Sequence, residues 1–188
     1  MLTRILRQVI RAVTEDHWNG WLYVFEPSQK APAADIIFCR AIEDVTDILL
    51  SPDHQLRIQA LPKEKDAWVF GAWVENRLAA VCWFQARDTY RRHGGLFHLN
   101  ADEAELVQIT TSADFRGRGV ATALIQWAAW EMGRDGFTRL YAKIWHDNLA
   151  SIRAFERSGW KRKARFVSLR FRHLKQPLLF RVPVRPTV

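Results

Sequence analysis

Apolar residues divide much of the chain into short segments with the alternation, or the richness in β-branched residues, that is typical of β-strands. These segments are residues 21–25, 35–40, 68–73, 78–84, 105–111, 139–145, 160–171 and 178–184. The segments at 68–73 and 78–84 are joined through Glu75, Asn76 and Arg77, a short polar connection that predicts an antiparallel hairpin. The pattern therefore predicts a domain built around a β-sheet.

Helical periodicity appears between the predicted strands. Helices are predicted for residues 41–50, 120–136 and 149–158, with one weak turn between Pro52 and Pro62. The helix at 120–136 has the broadest apolar face, formed by Val120, Leu124, Trp127 and Ala128. From residue 35 onward, the order β-α-β-β-β-α-β-α-β-β predicts a mixed α/β fold in which a central sheet carries helices on its faces.

The first part of the chain has a different pattern. Residues 1–17 carry an apolar stripe at helical spacing with arginines off it, which predicts an amphipathic basic helix. Packing on its own domain is the commoner role of such a helix, but a membrane-surface anchor or an organellar transit peptide has the same pattern. Prolines and small residues at 27–34 indicate a linker. We therefore predict an accessory segment at 1–34 and one domain at 35–188.

Composition narrows the class of protein. No apolar run approaches the roughly 18 residues of a membrane span. Cys39 and Cys82 are too few for a disulfide scaffold and have no metal-ligand spacing, so we expect no metal site and a cytoplasmic protein. The net charge of +8 would suit a nucleic-acid binder, but the basic residues are spread along the chain without a nucleic-acid motif. We favour an arginine-rich surface that also attracts an anionic ligand.

A glycine-rich turn joins the predicted strand at 105–111 to the predicted helix at 120–136. In it Gly117 and Gly119 alternate with Arg116 and Arg118. The glycines let the backbone approach a ligand closely, and the first N–H groups of the helix point at an anion there. Guanidinium groups match phosphate oxygens. The turn predicts a site for a polyphosphate or a diphosphate, the alternative being an ordinary turn rich in glycine and arginine.

This turn matches the pattern Arg/Gln-x-x-Gly-x-Gly/Ala through Arg116, Gly119 and Ala121. That pattern is the coenzyme A diphosphate loop of the GNAT superfamily of acyl-CoA N-acyltransferases, which the chain resembles. The resemblance implies a mostly antiparallel central sheet with two splayed strands and with helices on both faces.

A second match supports the same resemblance. Asn148, Ser151 and Phe155, followed by Gly159 and Trp160, correspond to the family's Asn-x-x-Ala/Ser, a frequent tyrosine, and Gly-Phe. The two motifs have the separation that the family shows. The resemblance covers roughly residues 35–171 in architecture and 104–160 in motif.

The resemblance implies a binding site for acetyl-CoA as co-substrate. The residues that it assigns to this site are Ile109, Thr110 and Thr111 along the pantetheine arm, then Arg116, Gly117, Arg118, Gly119, Val120 and Ala121 around the diphosphate, and finally Asn148 and Phe155. Phe155 stands where many members have the tyrosine that protonates the leaving thiolate. Branches with serine at position 151 often lack that tyrosine, so its absence does not by itself indicate an inactive enzyme.

Transfer of an acetyl group to an amine needs a base that removes a proton from the ammonium form. Glu105 is the candidate, because histone-acetylating GNAT members place their catalytic glutamate on this strand; the alternative is a solvated carboxylate at the strand end. Residues 87–100 are polar and aperiodic and predict a loop, in which His93 and His98 are better explained as surface residues than as bases.

These observations predict an N-acetyltransferase that acts on a primary amine of a small molecule or a protein N-terminus. The alternative is a catalytically silent GNAT-fold module that binds acyl-CoA. We expect no nucleic-acid partner and no membrane insertion, and a homodimer is left open.

Overall fold

The computed structural model describes residues 14–28, 32, 37–60, 63–95, 97–171 and 178–183. The strands are β1 (Thr14–Phe25), β2 (Phe38–Ala41), β3 (Ala67–Val74), β4 (Arg77–Ala86), β5 (Glu103–Thr111), β6 (Arg139–Trp145), β7 (Lys161–Phe171) and β8 (Leu178–Pro183). The helices are α1 (Thr46–Leu49), α2 (His54–Arg57), α3 (Arg87–Arg92), α4 (Val120–Arg134) and α5 (Leu149–Arg157), with a 3₁₀ turn at Ala113–Phe115.

All eight described strands form one sheet in the order β2-β3-β4-β5-β6-β1-β7-β8. Neighbouring strands are antiparallel except β5 and β6, which run parallel. The α4 helix lies in the connection between these two parallel strands, as a crossover between parallel strands requires. The prediction of a mixed α/β fold with a mostly antiparallel sheet is confirmed.

Helices cover both faces of the sheet because successive residues of a strand point to opposite faces. On β4, Cys82 belongs to the large core cluster that also contains Leu124, Ala128 and Met132 of α4. Its neighbours Val81 and Trp83 belong instead to a cluster with Ile48 of α1 and Leu56 of α2. We call the first side the α4 face and the second the α1 face. Of the apolar stripe predicted for residues 120–136, Val120, Leu124 and Ala128 are buried on the α4 face, and Trp127 is partly buried against the same cluster.

The parallel strands β5 and β6 separate partway along their length. They pair only from Glu103 opposite Arg139 to Leu106 opposite Ala142. Beyond that point β5 continues against β4 and β6 continues against β1. A bulge in β5 lies at the same place, because the register with β4 shifts between Trp83 and Phe84. A wedge-shaped gap therefore opens between the two strands.

The structure corrects two predictions. Residues 14–17 were expected in a helix, but β1 begins at Thr14 and lies between β6 and β7. Pairing with β7, which begins with Thr14 opposite Phe171, overrides the local periodicity. The rest of the predicted helix, residues 1–13, lies outside the described residues. Because β1 is an interior strand, residues 14–25 are not accessory to the domain; a separate role for the remainder of 1–34 stays a prediction.

The second correction concerns the loop predicted at 87–100. Its first part is the helix α3, which buries Thr89 and Tyr90. A helix of six residues has too few positions to show an apolar stripe, so periodicity could not reveal it. Contacts distant in sequence hold it instead: Arg92 donates to the carboxylate of Glu64, and the Tyr90 hydroxyl donates to Glu105.

Candidate active site

A cavity of about 570 Å³ lies between β5, the N-terminal part of α4 and the length of α5. Its wall contains most of the residues that the resemblance assigned to acetyl-CoA, namely Ile109, Thr110, Thr111, Arg116, Gly117, Gly119, Val120, Ala121, Asn148 and Phe155. The exception is Arg118, whose guanidinium lies 5.6 Å from the ring centre of Phe115. The fold therefore brings two motifs that are distant in sequence to one cavity.

The glycine turn has the backbone geometry that the sequence predicted. Gly117 and Gly119 have φ of 74° and 80°. This left-handed conformation is energetically costly for any residue that has a Cβ. Gly119 is the N-cap of α4, and no side chain of the described residues caps this helix. The N–H groups of the first turn, including those of Val120 and Ala121, are therefore left for a ligand or water.

Three arginines among the described residues line the cavity. The Nε of Arg116 donates to the carbonyl oxygen of Thr111 over 3.2 Å, which orients its guanidinium beside the glycine turn. Arg153 and Arg157 on α5 also line the cavity, and sequence reasoning missed both. Their i, i+4 spacing places them on one side of a helix, a signal that was available in the sequence.

The motif at α5 has both structural and cavity-facing roles. Asn148 caps α5, because its Oδ1 accepts from the N–H of Ser151 over 3.1 Å. Phe155 packs edge-on against Trp160, with ring centres 5.1 Å apart. Helix α5 ends at Arg157, and Gly159 follows in the left-handed conformation, as its position predicted. Both Asn148 and Phe155 reach the cavity wall.

Glu105 is buried, with 1% of its surface exposed. Its Oε2 accepts from the hydroxyl of Tyr90 over 2.7 Å, and its Oε1 lies 3.2 Å from Nζ of Lys143 on β6. Burial raises the pKa of Glu105 above its usual value, and the charge of Lys143 and the hydrogen bond from Tyr90 oppose that rise. The alternative of a solvated strand-end carboxylate is therefore wrong.

Glu105 does not lie on the cavity wall itself. Its neighbour Leu106 is in the core of the α4 face, so Glu105 points to the α1 face. There it lies beside Tyr141, its register partner on β6. The Tyr141 hydroxyl donates to Glu103 over 3.0 Å. The cavity and the candidate base are thus on opposite sides of β5, next to the point where β5 and β6 separate.

The end of the cavity at the glycine turn has features that suit an anionic ligand. Uncapped helix N–H groups and arginines match the charge of a diphosphate, and the open turn leaves room for it, since a Cβ added at Gly117 or Gly119 would meet no atom within 4 Å. Within the described residues, no group of three or more His, Cys, Asp or Glu side chains could hold a metal ion. None of the described helices has the length and apolar character needed to cross a membrane.

Comparison with known proteins identifies the same family. The model of the acetyltransferase (GNAT) family matches residues 37–160. No curated protein matches the chain. Solved structures with a similar fold include a GNAT-family acetyltransferase from Novosphingobium aromaticivorans, at 17% identity and a TM-score of 0.60 over 83% of this chain and 65% of that one.

Two other structures give a similar result. A GCN5-related N-acetyltransferase from Kribbella flavida has 12% identity and a TM-score of 0.60, over 90% of this chain and 64% of that one. Another, from Sphaerobacter thermophilus, has 18% identity and a TM-score of 0.58, over 99% of this chain and 58% of that one. The chain spans less than two thirds of each of these structures, and at such identities the likeness concerns the fold.

Proposed function

Because the chain belongs to the GNAT family of acetyltransferases, we propose that it transfers an acetyl group from acetyl-CoA to a primary amine of a small molecule or of a protein N-terminus. One observation carries this proposal: the uncapped N-terminus of α4, entered through Gly117 and Gly119, faces a cavity beside the gap between β5 and β6. Acetyl-CoA, when bound, supplies an acetyl thioester that an amine can attack.

Different residues of the cavity would bind different parts of acetyl-CoA. The N–H groups from Gly117 to Ala121 and the guanidinium of Arg116 would hold the diphosphate. Arg153 and Arg157 add positive charge to the same wall. The backbone of residues 109–111 would hold the pantetheine arm, since this part of β5 lies beyond the end of its pairing with β6.

Glu105 would act as the base on the acceptor side. Its carboxylate removes a proton from the acceptor ammonium, and its raised pKa brings the group closer to the pH at which such a proton transfer is efficient. Because Tyr90 and Lys143 now occupy both oxygens, one of these contacts must give way to the acceptor. Backbone N–H groups of β5 near its bulge would stabilise the developing oxyanion.

Phe155 has no proton to give to the departing thiolate. A thiol with a pKa near 8.5 leaves as a thiolate with little penalty at neutral pH, so water is a sufficient proton source. The side chain contributes shape to the cavity wall and packs on Trp160.

A test of binding and a test of turnover are both needed. We expect calorimetry to detect acetyl-CoA binding to the full chain, and the combined variant Arg116→Ala, Gly119→Asp to lose it, because a carboxylate would face the diphosphate. Unchanged affinity in that variant would contradict the placement. Release of free thiol across a panel of amines measures turnover.

The second candidate function is a module that binds acyl-CoA without turnover. The observation that favours it is the occupied carboxylate of Glu105 together with Phe155 in place of a proton donor. Acetyl-CoA binding without thiol release for any amine would support the module and exclude the transferase.

A further inference from the structure

Lys143 occupies a particular place relative to the candidate base. It is the residue of β6 that follows Ala142, the last position paired with β5, so it stands at the opening of the gap between the strands. Its Nζ lies 3.2 Å from Oε1 of Glu105. The side chain of Lys143 is 21% exposed, whereas that of Glu105 is 1% exposed. The amine therefore contacts a buried carboxylate next to the point where the two strands separate.

This arrangement has the geometry required between a base and the amine that it deprotonates. A general base must lie within hydrogen-bond distance of the proton that it removes. In the part of the chain that the structure describes, the lysine ion-paired with Glu105 is Lys143, while Lys63 is paired with Glu43 elsewhere. Lys161 and Lys163 on β7 are exposed. A side-chain amine of the protein thus lies at hydrogen-bond distance from the candidate base, as an acceptor amine must.

We propose that Lys143 is a site of self-acetylation, its own side-chain amine accepting the acetyl group of the bound thioester. This inference rests on the proposed function. The carboxylate of Glu105 takes one proton from the Lys143 ammonium, and the neutral nitrogen attacks the carbonyl carbon. An N–C bond forms and the C–S bond breaks. The second proton lost from nitrogen goes to the departing sulfur, so that the products are acetyl-lysine, coenzyme A as its free thiol, and a protonated Glu105.

Self-acetylation would change the surroundings of the base. The acetylated Nζ keeps one N–H, which can still donate to Oε1, but its positive charge is gone. Glu105 then has no cation among the side chains that contact it in the structure. A buried carboxylate without its charged partner favours the protonated form more strongly. The modification would therefore leave a smaller fraction of Glu105 deprotonated and able to take a proton from another amine, until the acetyl group is removed.

The experiment uses the full chain with isotopically labelled acetyl-CoA and no added amine, followed by peptide mass spectrometry over time. We expect the acetyl group on Lys143 to appear faster than on Lys163, an exposed lysine that reports uncatalysed acetylation. Glu105→Gln should slow labelling of Lys143 about a hundredfold and leave Lys163 unchanged, as loss of a general base does. Lys143→Arg should remove the product, and Lys163→Arg should not affect labelling of Lys143.

Parallel measurements separate the possible failures. If acetyl-CoA binds and amines are acetylated while Lys143 stays unlabelled, or is labelled no faster than Lys163, Lys143 only balances the charge of Glu105 and this inference is overturned alone. If acetyl-CoA does not bind, the proposed function falls together with it. Should Glu105→Gln fail to melt cooperatively, Glu105→Asp provides the comparison, because it keeps the charge and shortens the reach to Nζ.

Discussion

At the scale of single residues, the pH dependence of activity reports on Glu105. A base acts only when deprotonated, so activity is lost as the pH falls through its pKa. Burial raises the pKa of this carboxyl above the ordinary glutamate value. We therefore expect kcat/KM to rise with pH through a midpoint above about 4.3, the usual glutamate pKa. The measurement is a pH profile of kcat/KM on an accepted amine.

Glu105→Gln tests the same assignment without titration. We expect its kcat/KM to fall about a hundredfold and the acidic limb of the profile to vanish. A circular-dichroism melt checks that the variant is folded. A variant with the same limb as the original chain would show that another group titrates.

Phe155 offers a second prediction for a single side chain. The ring contacts Trp160 and reaches the cavity wall, so Phe155→Tyr should place a hydroxyl toward the cavity. We expect kcat to increase severalfold, because the phenol can protonate the thiolate, with a stability loss of about 1 kcal/mol or less. Phe137→Tyr is the matched control. Phe137 is buried against Trp68 away from the cavity wall, so this variant should lose stability without a gain in kcat.

At the scale of elements, the glycine turn before α4 allows two effects of a glycine to be distinguished: its effect on stability through the backbone conformation, and its effect on ligand binding. Gly119 and Gly136 both have left-handed φ, 80° and 92°, and neither would bring a Cβ within 4 Å of another atom. Gly119→Ala and Gly136→Ala should therefore each cost about 1–2 kcal/mol of stability through backbone strain. Only Gly119→Ala should also weaken acetyl-CoA, by about tenfold or 1.4 kcal/mol. Equal affinities of the two variants in calorimetry would contradict the diphosphate placement.

The elements also show what sequence could and could not predict. The segment from β5 to α5 was predicted well, because a long apolar face, a glycine turn and an asparagine cap are all local signals. The prediction of β1 was poor, because the strands that pair with it lie far away in the sequence. For the same reason, no local pattern could show that Tyr90 and Lys143 meet Glu105. The separation of β5 from β6 was predicted only from the family resemblance, because the register between strands depends on the whole sheet and not on a local pattern.

At the scale of the whole molecule, β1 completes the sheet. It pairs with β6 along one edge and with β7 along the other, so without it β7 and β8 have no partner on the rest of the sheet. We expect deletion of residues 1–25 to abolish cooperative unfolding in a thermal melt. A truncated protein that still melts cooperatively and binds acetyl-CoA would show that the remaining strands close up without β1.

A single substitution tests the packing of β1 against β6 with a smaller change than the deletion. A Cβ at Gly20 would lie 2.2 Å from the carbonyl oxygen of Ile144, a backbone atom that cannot turn away. We expect Gly20→Ala to destabilise the fold by about 1–3 kcal/mol, as overpacking does. Denaturant unfolding measures this loss, and an unchanged midpoint would mean that the two strands can move apart.

The position of β1 has a consequence for how the protein folds while the ribosome is still synthesising it. This strand leaves the exit tunnel before the segments that it pairs with: the backbone oxygen of Asn19 contacts His146, 127 residues further on. Contacts between such distant segments form slowly. During translation β1 must wait with both of its edges unpaired, so in this interval the nascent chain is exposed to aggregation and open to chaperone binding.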